Sequence, residues 1–176
     1  MGNVFLRDDG FGVEVVRRLA GVPLPEGVRV ADFGIRGVHL AYELMEGYTG
    51  LVLVDAMGQG EPPGTVCVLA PDIPAAGHEC AADDGPVPAM DAHDLAPGTV
   101  LAVLGRLGVR LPWVRVVGCE PACLEEGIGL SPPVGAAVDE AVRLVRELLA
   151  GNGELPAPPI TTGAPAAERG EDGRHA

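Results

Sequence analysis

Leu51-Val52-Leu53-Val54-Asp55-Ala56 decides the fold. Four consecutive apolar residues leave no polar face, as expected of a strand covered on both sides, the usual condition of a parallel sheet between helices. The run then ends on an acid. Two other chemically capable residues stand where an apolar run gives way to a polar or helix-starting segment. Asp9 lies in Leu6-Arg7-Asp8-Asp9-Gly10-Phe11-Gly12, and His93 lies in Met90-Asp91-Ala92-His93-Asp94. If the apolar runs are parallel strands, loops at their carboxyl ends converge on one crevice, where ligands bind. Two carboxylates and an imidazole meeting there suit a borderline divalent cation.

Working outward from this run, residues 11–20 place Val13, Val16, Leu19 and Ala20 on one helical face, and Gly21 stops the helix. Val28 to Phe33 alternates like a strand. Val38 to Met45 reads as a short helix burying Val38, Ala41 and Met45. Thr65 to Leu69, entered through Pro62-Pro63-Gly64, is another strand. Residues 70–90 read as loop, about His93 to Leu107 as helix, and Val114 to Val117 as strand. Ser131 is a good N-cap with prolines in the first turn. The helix from Val134 to Leu149 shares Val138, Val142, Val145 and Leu149 along one face. Residues 151–176 carry few large apolar groups, so a disordered tail is expected.

The order helix, strand, helix, strand, strand, helix, strand, helix predicts a single domain over residues 1–150. Its class is α/β: a three-layer α/β/α sandwich on a doubly wound, mostly parallel sheet. Such a domain normally opens with a strand feeding its first ligand-binding loop. Met1-Gly2-Asn3 already lies in that loop, so the usual first strand is missing here and is expected upstream.

Length and composition bound the function. At 176 residues and 47% hydrophobic content, one domain can bury a proper core, built mainly of Val, Leu, Ala and Ile because aromatics are only 3%. The net charge of −13 opposes nonspecific binding to nucleic acid or anionic membrane. No apolar run approaches the roughly 20 residues of a membrane helix. The start is no secretory signal, so a cytoplasmic location is expected. Cys67, Cys80, Cys119 and Cys123 match no zinc spacing and read as free thiols, with Cys67 in the core.

Six motifs then fall in one order. They are Gly2-Asn3 leading to Asp8-Asp9-Gly10-Phe11-Gly12; Asp32-Phe33-Gly34-Ile35-Arg36-Gly37; Val54-Asp55-Ala56 with Pro63-Gly64-Thr65; His93; Val117-Gly118-Cys119-Glu120-Pro121; and Gly127-Ile128-Gly129-Leu130-Ser131-Pro132-Pro133-Val134. Each is weak alone. Together they make residues 2 to about 150 resemble the hydrogenase maturation proteases. The resemblance implies an endopeptidase that removes the C-terminal extension of a nickel–iron hydrogenase large-subunit precursor after nickel insertion. It implies Asp9, Asp55 and His93 as the residues that contact nickel and carry the catalysis. Nickel would come with the precursor, and no tightly held metal is expected.

Asp32, Gly34, Arg36, Gly37 and Asp91 are candidate substrate contacts or supporting residues. Asp91 could orient the His93 imidazole as an acceptor or simply begin the helix. Gly34 and Gly37 suit positive φ or close backbone approach. Asp32 could brace the Gly34 turn or line the cleft. Each site residue also has a plain reading: Asp8 or Asp9 as a helix cap, Asp55 as a turn former, His93 as a solvated histidine. Asp8 is assigned to the cap and Asp9 to the metal. His39, His78 and His175 read as structural or solvated. The alternative is a non-catalytic nucleotide-binding or protein-interaction module, although an acidic first loop repels phosphate.

Overall fold

The computed structural model describes residues 1–34, 37–71, 104–105, 108–109 and 111–154. A 3-10 turn (Arg7–Gly10) leads directly into α1 (Phe11–Leu19). There follow α2 (Gly37–Leu44), β1 (Gly50–Ala56), β2 (Val66–Leu69), β3 (Trp113–Cys119) and α3 (Pro132–Ala150). The strands lie in the order β1-β3-β2. β1 and β3 run parallel, with Leu53 opposite Val116, Val54 opposite Val117 and Asp55 opposite Gly118.

Alternation along the strands divides the core into two layers. Val54 and Val117 face α1 and α3, where Phe11, Val15, Val134, Val138, Ala141 and Leu148 are buried. Leu53, Val114 and Val116 face the other way, toward Leu40, Ala41 and Leu44 of α2 and Leu104. The result is the expected α/β/α sandwich. α1 crosses the carboxyl end of β1 so closely that a Cβ at Gly12 would strike the Met1 and Val54 carbonyls.

Several expectations are corrected in detail. Val28–Phe33 forms no strand. It stands off from β1 across a cavity of about 360 Å³ lined by Val28, Val30, Leu51 and Leu53, and so makes no ladder with β1. β2 is antiparallel to β3, because the Pro62 to Thr65 turn returns the chain along the sheet edge with Val66 opposite Cys119. In α1 the buried stripe is Phe11, Val15 and Leu19 with Val13, whereas Val16 is half-buried and Ala20 exposed. In α2, Leu40 and Leu44 join Ala41 in the core and Met45 is 56% exposed. The side chain of Val38 lies outside the described residues. Cys67 is only half-buried, at the edge. Cys119 is buried in the core, where burial first and the Asp8 charge second push its thiol up to about 11, so it stays protonated and unreactive. The helix expected from His93 and the tail beyond Glu154 lie almost wholly outside the described residues.

Candidate active site

β1 carries Asp55 to its carboxyl end, on the same face as Leu53. The side chain is buried, and among the described residues its Oδ1 accepts only the Ala56 N–H, at 3.1 Å. Burial raises its pKa to about 6, from an ordinary 3.8. The Met1 ammonium opposes this rise, Asp9 adds to it by repulsion, and the Ala56 N–H opposes it again. The Met1 ammonium donates to the Val54 carbonyl, and the charges of Asp55, Asp32 and Asp9 all act on it. The Asp55 carboxylate and the Met1 ammonium thus share the carboxyl end of β1.

Asp9 reaches this place from the 3-10 turn. Its Oδ2 accepts the Asn3 N–H at 2.6 Å. Asn3 Oδ1 in turn accepts the Phe5 N–H at 3.0 Å, which folds the loop back on itself. Gly2 separates the two acids: its φ is +127°, and a Cβ there would collide with the Asp9 carbonyl and stand 3.7 Å from Asp55 Oδ1. Only glycine permits both the backbone conformation and this approach. Gly2 and Asn3 open the loop motif that runs to Gly12, and the glycine there is the sequence signal of this close approach.

Asp8 is no helix cap. Its carboxylate is completely buried. Oδ2 accepts the N–H groups of Ala122 and Cys123 at 2.9 Å each and the Ser131 hydroxyl at 2.9 Å, while Oδ1 accepts the Ser131 N–H at 2.6 Å. Burial alone would raise its pKa, but the hydrogen bonds from Ser131, Cys123 and Ala122 outweigh it and hold the pKa below the ordinary value. Ser131 does occupy the N-cap of α3, yet its hydroxyl serves Asp8 rather than the helix.

Of the supporting candidates, Asp32 braces its turn by accepting the Gly34 N–H at 2.8 Å. Gly34 has φ +52°, and its carbonyl accepts the Gly2 N–H at 3.2 Å, linking that turn to the site. Gly37 is the first residue of α2 rather than part of the turn. Arg36, Asp91 and His93 lie outside the described residues. Among the described residues no three His, Cys, Asp or Glu side chains converge to hold a metal.

The chain's likeness to known proteins bears on what this end of the sheet does. Residues 13–148 match the family model for hydrogenase maturation protease, HycI. The chain belongs to the hydrogenase maturation proteases. It is 33% identical over 159 residues to the hydrogenase expression/formation protein HupD of Rhodobacter capsulatus, covering 85% of this chain and 69% of that one. It is 30% identical over 160 residues to the Hydrogenase 2 maturation protease of Escherichia coli, covering 87% and 89%. The solved structure of the E. coli hydrogenase maturating endopeptidase HybD superposes with a TM-score of 0.67 at 29% identity, over 86% of this chain and 90% of that one. The protease is therefore an endopeptidase of hydrogenase maturation, and the nucleotide-binding alternative is set aside. No helix among the described residues is long and apolar enough to cross a membrane.

Proposed function

We propose that this protease removes the C-terminal extension of a nickel–iron hydrogenase large-subunit precursor, and that it does so after reading the precursor's nickel with Asp9, Asp55 and His93. One observation carries the reading. Among the described residues the buried Asp55 carboxylate accepts a single hydrogen bond, and it lies across Gly2 from Asp9, whose charge acts on it. Such a pair is unfavourable by itself and becomes favourable when a cation arrives. Carboxylate oxygens, with the imidazole of His93 that the family resemblance supplies, suit nickel without the tight grip of thiolates. A weak site of this kind fits a metal that belongs to the substrate.

Above about pH 6 Asp55 is ionised and offers anionic oxygen to the cation. Docking the precursor would place its nickel between Asp9 and Asp55 and fix the scissile bond against the site. Nickel could polarise the scissile carbonyl. Alternatively Asp55, with a pKa close to neutrality, could take a proton from the attacking water. The precursor and the protease would meet in the cytoplasm.

The test is to incubate the protease with nickel-loaded and metal-free precursor and follow the mass of the large subunit. Cleavage of the loaded form alone is expected. Cleavage of neither would remove the reading, and equal cleavage of both would remove the metal sensing.

A further inference from the structure

Asp8 takes no part in the chemistry above, yet four donors converge on it. We propose that Asp8 is a positioning residue of the protease reaction, acting through Asp9, and that the Ser131 hydroxyl is its working partner. The proposal rests on the reading of Asp9 given above.

The turn that carries Asp9 is attached mainly to the loop before α3. The Arg7 N–H donates to Gly127 O at 3.1 Å, the Asp8 N–H to Cys123 O at 3.2 Å, and the Gly127 N–H to Phe5 O at 2.9 Å. The Asp8 side chain completes this seam with its bonds to residues 122, 123 and 131. The far end of the loop is anchored in turn, because α3 starts at Pro132 and drives Val134 and Val138 into the core. A continuous path therefore runs from the core through Ser131 to Asp8 and on to Asp9.

An apolar side chain here would leave four donors without an acceptor, so the carboxylate first of all satisfies the loop. A carboxylate met by four donors also fixes direction. With Asp8 turned into the loop, its neighbour Asp9 is directed toward Asn3, Gly2 and Asp55. The -Leu130-Ser131-Pro132- segment thereby gains a role that its helix-start reading lacked.

The test uses Ser131→Ala, Ser131→Thr and Asp8→Asn, each assayed where circular dichroism shows full folding. One lost hydrogen bond to a charged acceptor should lower kcat of Ser131→Ala about tenfold with KM changed by less than about twofold. The Asn3 amide proton, which reports its bond to Asp9, should move upfield, while amides of β1 and β3 stay in place. Ser131→Thr should restore both readouts, and Asp8→Asn should lower kcat by about 100-fold. A folded Ser131→Ala with unchanged kcat and an unmoved Asn3 resonance would overturn the proposal, as would Ser131→Thr failing to restore them. If Asp8→Asn does not fold, the Ser131 pair decides. If the unmodified protease cleaves no precursor, the functional reading fails, and the Asn3 resonance alone still decides the link from Asp8 to Asp9.

Discussion

Asp8 and Asp55 are both buried carboxylates at the same end of the sheet, yet they behave in opposite ways. Asp8 has four donors and a pKa held below the ordinary value. Among the described residues Asp55 has one backbone donor, and its pKa is raised to about 6. The difference separates architecture from chemistry. A satisfied buried charge holds the structure together, whereas an unsatisfied one keeps its capacity for a ligand.

The sharpest way to break this contrast is to remove each charge. Asp8→Ala leaves four donors without an acceptor and should destabilise the protein by about 3–5 kcal/mol in denaturant titrations. Asp55→Asn should do the reverse, stabilising the fold by about 2 kcal/mol at pH 8 because a charge no longer has to be buried. A loss of stability in Asp55→Asn at pH 8 would show that its carboxylate is as well satisfied as that of Asp8.

The pH dependence of stability sharpens the same comparison. The folded state binds the Asp55 proton more tightly than the unfolded chain, so its contribution declines as pH rises from 3.8 to above about 6. That decline amounts to about 3 kcal/mol. Asp8 acts with the opposite sign: its contribution is present above pH 3.8 and is lost as pH falls below it. Chemical denaturation across pH 3–8 should therefore show greatest stability near pH 4 to 5 from this pair. In Asp55→Asn the decline toward pH 8 should shrink. The smallest effect concerns Ser131→Ala, where one of the four bonds to Asp8 is lost. It should cost about 1–2 kcal/mol, and Ser131→Thr should recover most of it.

The elements with strong period were legible in the sequence because burial pattern is local. β1 and α3 follow directly from Leu51–Val54 and from Val134 to Leu149. Val28–Phe33 alternates, but alternation encodes two faces and says nothing about a ladder partner. α1 enters from a 3-10 turn at Arg7–Gly10, which sets the buried stripe on Phe11, Val15 and Leu19 rather than on Val16 and Ala20. At the proposed site, Asp9 and Asp55 come from the family resemblance, and Gly2 lies between the Asp9 backbone and the Asp55 carboxylate. The true work of Asp8 was not legible. Its donors lie 114 to 123 residues away, and a local reading sees only an acid ahead of a helix.

The most direct measurement follows cleavage of nickel-loaded precursor from pH 5 to 8 by the protease and by Asp55→Asn at equal folded concentration. The account predicts that wild-type activity rises with a midpoint near pH 6, as Asp55 ionises, and that the variant loses about 100-fold or more at pH 7.5. An Asp55→Asn protease that cleaves the loaded precursor at the wild-type rate would contradict it.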